Sequence, residues 1–204
     1  MNIRPLGKNI AVIADAAETQ TESGLFIATK AGATTTKATV VGVGPEATDY
    51  FNDNDRVLFV AGAGQEMNIQ DTTYTFLESD GVIGILKEDG LFPTHDNIVC
   101  TDADLGDQTT SAGIIIKSNV KESQGITSRW MRVHKVGPEQ ELVSPDQWVL
   151  VEYGRWTEGF AIDGLDECYR VDPLGLLAVS DDKPDTGLYY NDNVVATSKQ
   201  TLPL

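Results

Sequence analysis

Val43-Gly44-Pro45-Glu46 recurs letter for letter as Val136-Gly137-Pro138-Glu139, and this recurrence decides how the rest of the chain is read. One tetrapeptide proves little, but the same order of events surrounds both copies. Upstream, Asn9-Ile10-Ala11-Val12 matches Asn97-Ile98-Val99-Cys100, and Ser23-Gly24-Leu25-Phe26-Ile27 matches Ala112-Gly113-Ile114-Ile115-Ile116. Downstream, Asp55-Arg56-Val57-Leu58-Phe59-Val60 matches Asp146-Gln147-Trp148-Val149-Leu150-Val151. Asp80-Gly81-Val82-Ile83-Gly84-Ile85-Leu86 loosely matches Asp172-Pro173-Leu174-Gly175-Leu176-Leu177-Ala178-Val179. Matches in one order at a nearly constant offset indicate a tandem duplication. Its boundary falls at Glu88 to Thr94, where Asp89-Gly90 and Pro93 supply turn chemistry.

Each repeat is written in short segments bounded by Gly, Pro, Asn or Asp. Trp130, Arg132, His134 and Val136 alternate with Met131, Val133 and Lys135, which is the period of a strand. No stretch sustains a helical period. Roughly five short strands per repeat predict a small antiparallel barrel, because closing a sheet removes its exposed edges. The expected fold is all-β: two small antiparallel barrels in series, residues 1–88 and 95–180, then a C-terminal arm, 181–204. The arm's acidic start and its Leu188-Tyr189-Tyr190 and Val194-Val195 clusters suit packing on a neighbour, with a disordered tail as the other reading.

Between the first two strands of each repeat lies a polar stretch, Asp15 to Lys37 and Asp102 to Ser128, rich in Thr, Ser, Gly, Ala and Lys. Both exceed the roughly 12 to 15 residues at which a structureless loop becomes uncommon, and such loops are functional or disordered. Each carries one apolar triplet: Leu25-Phe26-Ile27 behind Gly24, and Ile114-Ile115-Ile116 behind Gly113. Two readings of the triplets stand side by side. Each is a strand tucked onto its own barrel, or an adhesive peptide presented on a mobile arm to a partner's groove. The second loop is the more apolar, with Val120 and Ile126 as well, and the second repeat holds all three tryptophans, Trp130, Trp148 and Trp156. The first arm therefore fits docking better, and the second repeat fits assembly.

Composition narrows the function. Of 204 residues 41% are hydrophobic and 23% charged, and Lys plus Arg total 15 against 31 for Asp plus Glu, a net charge of −16. Such a polyanion is repelled by nucleic acid and by anionic lipid. The apolar runs Gly81 to Leu86 and Leu174 to Val179 fall far short of the roughly 20 residues of a membrane span, and Met1 to Ile10 lacks the apolar region of a signal peptide. A cytoplasmic protein is expected. Cys100, Cys168, His95 and His134 are the only cysteines and histidines; no CxxC is present, and no metal site is expected. Both cysteines sit in apolar strand-like segments and read as core thiols. Gly42-Val43-Gly44 lacks the third glycine of a dinucleotide fingerprint, and no catalytic motif of a phosphate loop, serine hydrolase or zinc protease occurs. Neither an enzyme activity nor a cofactor is expected.

The order of these features resembles a known family. A strand, a long Thr/Ser/Gly loop with Gly before three hydrophobics, a strand ending in Val-Gly-Pro-Glu, an Asp before Val-Leu-Phe, and the final Glu78-Ser79-Asp80-Gly81-Val82-Ile83-Gly84-Ile85-Leu86 are similar to the GroES co-chaperonins. The opening Met1-Asn2-Ile3-Arg4-Pro5-Leu6 fits the same family. The tandem arrangement resembles the double-barrel co-chaperonins of chloroplasts, and the shortened central segment resembles those encoded by large tailed phages.

The resemblance implies a role. In the family the loop triplet docks between two apical-domain helices of a GroEL-type chaperonin while ATP is bound, closing the chamber over a substrate protein. Carried over by position, Gly24, Leu25, Phe26 and Ile27 hold that role in the first repeat, and Gly113, Ile114, Ile115 and Ile116 in the second. Burying each triplet side chain yields roughly 1.5 to 3 kcal/mol, against about 1 to 2 kcal/mol for ordering each loop residue. One arm is therefore weak, and a ring-shaped homo-oligomer multiplies it through effective concentration.

Three features depart from the family. Ala47 to Asn54 and Gln140 to Pro145 are too short for the roof hairpin of GroES, leaving Tyr50 and Phe51 either to line an opening or to pack. Two barrels per chain raise a symmetry mismatch with a chaperonin ring, because a closed ring repeats whole chains. The segment 181–204 has no counterpart. An alternative function is a capsid-surface or assembly component of a phage particle reusing the barrel, since fold does not fix function; the location would then be the virion rather than the host cytoplasm. The GroES-like domain of zinc alcohol dehydrogenases fails for want of ligands and a nucleotide-binding half.

Overall fold

In a computed structural model of the chain, residues 3–15, 35–102, 108–109, 115–116 and 128–184 are described. Every regular element among them is a strand, apart from two 3-10 turns at Ser79–Gly81 and Pro173–Gly175, as the period-2 segments require. The first sheet holds β1 (Asn9–Ala14), β2 (Thr35–Val43), β3 (Arg56–Val60), β4 (Gln65–Ile69), β5 (Thr72–Glu78), β6 (Val82–Lys87) and β7 (Gly90–Pro93), in the order β4-β5-β1-β2-β3-β6-β7. A two-stranded ladder pairs β9 (Gln108–Thr109) with β10 (Ile115–Ile116). The second large sheet holds β8 (Ile98–Asp102), β11 (Arg129–Val136), β12 (Trp148–Val151), β13 (Phe160–Ile162), β14 (Leu165–Val171) and β15 (Leu176–Ser180), in the order β13-β14-β8-β11-β12-β15. All pairings are antiparallel.

Without β7 the two orders coincide, and so do their irregularities. The β1–β2 ladder passes over Val41, and the β8–β11 ladder passes over His134. The β3–β6 register slips at Leu58/Phe59, and the β12–β15 register slips at Leu150/Val151. Gly44 and Gly137 recur for one reason: a Cβ at Gly44 would stand 2.3 Å from the Gly7 carbonyl oxygen, and one at Gly137 would stand 2.2 Å from that of His95. Gly7 and His95 both take positive φ, 59° and 53°, and their carbonyls accept from the amides of Glu46 and Glu139.

The structure corrects the last two of the sequence matches. Ala38 pairs with Val57 as Met131 pairs with Val149, and the Asn54 amide donates to Val40 as the Asp146 amide does to Val133, so Asp55 corresponds to Gln147, one residue later than the sequence match placed it. Asp172 accepts from the Leu174 amide at 3.0 Å and so caps the second 3-10 turn. The final strand therefore starts two residues later than the sequence alignment placed it, and Val82 corresponds to Leu176. The expected turn at Glu88 to Thr94 is confined to Glu88-Asp89, because β7 pairs with β6 from Lys87↔Gly90 to Gly84↔Pro93.

Alternation sends one face of each sheet inward. Ile10, Val12, Val40, Val57, Phe59 and Leu77 build the first core together with Phe51, which resolves Phe51 as packing. Ile98, Met131, Val149, Val151, Tyr169 and Val171 build the second, and Trp156 packs on it. A third cluster belongs to both sheets: Leu58, Ile83 and Leu91 meet Val99, Phe160 and Cys168. Cys100 and Cys168 are buried free thiols, as their apolar settings suggested.

Candidate functional site

The residues assigned to docking from the sequence fall between β1 and β2 and between β8 and β11, and the residues flanking both stretches are described. The first loop leaves the β1–β2 ladder beyond Ala14↔Ala38, and the Asp15 amide still donates to the Lys37 carbonyl at 2.9 Å. Arg56, on the neighbouring β3, pairs with the Asp15 carboxylate and reaches the Thr39 hydroxyl at 2.9 Å. The Arg56 hydrogen bond outweighs the partial burial of Asp15 and holds its carboxyl below the ordinary range. Three adjacent strands are thereby tied at the loop root by one exposed pair, a contact of about 0.2–1 kcal/mol.

At the second root Met131 pairs with Asp102, and Arg132 reaches Asp146 at 2.7 Å. The Arg129 guanidinium lies 4.5 Å from the ring centre of Trp156 and 4.3 Å from that of Tyr169, a cation–π stack that fixes the start of β11. Gly24, Leu25, Phe26, Ile27, Gly113 and Ile114 lie outside the described residues. Ile115 and Ile116 form β10, opposite Thr109 and Gln108, in a ladder separate from both large sheets.

Sequence reading missed the joint between the two sheets. Asp163 is the first residue of the Asp163-Gly164 turn between β13 and β14, both residues having positive φ as a type I′ hairpin needs. Its carboxylate, 9% exposed, accepts from the Leu91 amide at 2.7 Å and from Lys135 Nζ at 2.8 Å, and His134 Nε2 lies 3.2 Å away. Lys135 also donates to the Leu91 carbonyl at 2.9 Å. Burial pushes the Asp163 carboxyl up, and these three hydrogen bonds more than reverse it, leaving it below the ordinary range. Asn97 adds a second tie, donating to the Val82 and Thr94 carbonyls and accepting from Arg170 at 2.7 Å.

On the other side of the joint, Tyr50 stacks on His95 with ring centres 4.0 Å apart and donates to Glu139. That carboxylate raises the phenol's pKa. A cavity of about 470 Å³ opens beside them, with Lys8, Glu46, Asp80 and Asp96 also on its wall. Lys8 pairs with Asp80 at 2.9 Å and with Glu78 at 3.0 Å; the bond from Lys8 holds Asp80 low. Lys8 with Asp80, and Glu139 with Tyr50, form contacts that join segments distant in sequence. Burial raises both thiols, Cys168 to about 11, so neither is a thiolate nucleophile at neutral pH.

The chain's first half has known relatives. The family model described as the chaperonin 10 Kd subunit matches residues 2–86. A co-chaperonin GroES of Campylobacter curvus is 36% identical over 87 residues, 43% of this chain and 100% of that protein. That of Campylobacter concisus is 34% identical over 87 residues, and that of Clostridium beijerinckii 33% over 94, with the same coverage of both chains. With these relatives covered from end to end by its first half, the chain belongs to the chaperonin 10, or GroES, family.

Proposed function

We propose that the chain is a co-chaperonin of tandem form that caps a GroEL-type chaperonin ring in its ATP-bound state and encloses a substrate protein for folding. In this reading residues 1–88 and 95–180 are two GroES-like barrels, 181–204 is an arm, and the working unit is a ring-shaped homo-oligomer in the cytoplasm. Gly24, Leu25, Phe26 and Ile27, with Gly113, Ile114, Ile115 and Ile116, are the chaperonin-binding residues. The role is one of binding, with no catalytic group, metal or cofactor.

The observation that carries the reading is the match of residues 2–86 along the whole length of proteins named co-chaperonin GroES. The agreement of strand order and bulge positions between the two large sheets supports extending it to the second half. Co-sedimentation of the full chain with a GroEL-type chaperonin tests it. Binding with ATP and its loss without nucleotide is the expected result; no binding under either condition would defeat the proposal.

A further inference from the structure

The stretch that leads into the second repeat recurs once more, beyond the last strand. Asp96-Asn97-Ile98-Val99-Cys100-Thr101 returns as Asp192-Asn193-Val194-Val195-Ala196-Thr197, and Gly90-Leu91-Phe92 returns as Gly187-Leu188-Tyr189. The spacing agrees with the repeat. Asn97 lies 15 residues beyond Val82, and Asn193 lies 17 beyond Leu176, the equivalent of Val82. The turn ahead of the asparagine agrees too. Gly7 and His95, two residues before Asn9 and Asn97, take positive φ of 59° and 53°. Asn191 holds that position in the third copy, and asparagine, like glycine and histidine, is enriched in the left-handed region.

The work of this stretch is visible on the first sheet. β7 pairs with the outer edge of β6, and Leu91 shares a buried cluster with Ile83. The Thr94 amide donates to the Ile83 carbonyl at 3.2 Å, and the Asn97 side chain donates to the Val82 carbonyl at 2.8 Å. The ladders to β3 and β12 make Leu177 the equivalent of Ile83, and Val179 that of Ile85. Among the described residues nothing takes the corresponding place on the second sheet. β15 ends that sheet, and Leu177 is 55% exposed where Ile83 is 0% exposed; Leu174 and Val179 are exposed as well. Such an edge is a template for one more strand.

We infer that the C-terminal segment Gly187 to Asn193 pairs with the outer edge of β15 in its own chain and covers Leu177 and Val179. Leu188 then takes the role of Leu91, and Asn193 that of Asn97. With Gly187 in the place of Gly90, residues 182–186 form the connection, five residues long and carrying the turn residues Pro184 and Asp185. So short a loop closes at little entropic cost, whereas the same strand from another molecule loses translational and rotational freedom as well. The third copy is not exact. Ala178 replaces Gly84, where a Cβ would stand 2.4 Å from the Phe92 carbonyl oxygen, and the segment from Gly187 to Asn193 is one residue shorter than that from Gly90 to Asn97. The added strand therefore meets β15 in a register of its own. Any strand from outside the chain must displace this segment to pair there, so the segment decides when the edge is open. The inference rests on the third copy and the bare edge, independently of chaperonin binding.

Amide hydrogen exchange of the full chain, read residue by residue by NMR, tests it. The Ile83 carbonyl faces β7, and a paired strand residue turns its amide and carbonyl to the same side, so the Leu177 and Val179 amides face the outer edge. Both are expected to exchange at least about tenfold faster in Leu188→Asp and in Asn193→Ala than in the natural chain. The Val133 amide, held by the Gln147 carbonyl at 2.8 Å, should exchange alike in all three, and the natural chain's rates should not change on dilution. Fast exchange of Leu177 and Val179 in the natural chain would overturn the inference. So would slow exchange that survives in either variant, which marks another occupant, or protection that fades on dilution, which marks a second copy.

Discussion

Removing the Asp163 carboxylate unties the two sheets at a part-buried polar clamp. In Asp163→Ala the Leu91 amide, on a residue 0% exposed, loses its acceptor, which costs about 1–3 kcal/mol. Lys135 keeps the Leu91 carbonyl and partial access to water, so its lost counter-ion adds less than the full penalty of a broken buried pair. Alanine at φ 56° adds about 1 kcal/mol of strain. The expected total is about 2–4 kcal/mol, or roughly 4–16 °C in Tm for a chain of this size. Asp163→Asn keeps an acceptor and tolerates the left-handed turn, and is expected to cost about 1 kcal/mol.

Urea unfolding of the full chain, followed by tryptophan fluorescence, reads both variants. The pH dependence supplies a second check. The folded Asp163 carboxyl lies below its ordinary value, so its stabilisation is complete above the unfolded value near 3.9 and is lost as pH falls through the lower folded value. The gap between the natural chain and Asp163→Asn should therefore be constant at neutral pH and close below about pH 4. Asp163→Ala within about 0.5 kcal/mol of the natural chain, or a gap for Asp163→Asn that persists into acid, would refute the clamp.

Phe26→Ser is expected to weaken chaperonin binding by about 2–4 kcal/mol per arm with Tm unchanged, and Ile115→Ser to weaken it less if, as proposed, the first arm does the docking; co-sedimentation and calorimetry measure the two. Gly44→Ala and Gly137→Ala force a Cβ against backbone carbonyls and should each cost about 1–3 kcal/mol, while Gly81→Ala, with nothing within 4 Å, should leave the melting curve in place. Cys100 and Cys168, both buried, should resist a thiol reagent in the native chain and react at once in urea.

The parts legible in the sequence were those that the fold demands twice. Gly44 and Gly137 lie against strand carbonyls, and Asn9 and Asn97 close the same turn, so each constraint left a matching letter in both repeats. Alternation exposed the strands for the same reason. The final strand slid by two residues because Leu174-Gly175-Leu176-Leu177 resembles itself when shifted, and only the Asp172 cap fixes its start. The Asp163 clamp was hidden because it is made once. In the first repeat Gln70 stands at the turn position of Asp163 and Gly42 at the ladder position of Lys135, and Asp163 lies 72 residues from Leu91, so no repeated letter marks it. The triplets proposed for docking stand in the sequence only as short apolar runs in polar stretches, a pattern that gives no geometry.

Protection of a substrate protein from protease tests the central claim most directly. A denatured client is bound to a GroEL-type chaperonin, the full chain and ATP are added, and digestion of the client is followed over time. The account predicts that the client resists digestion only when chaperonin, ATP and the chain are all present, and that Phe26→Ser abolishes the protection. Digestion at the same rate with and without the chain would contradict it.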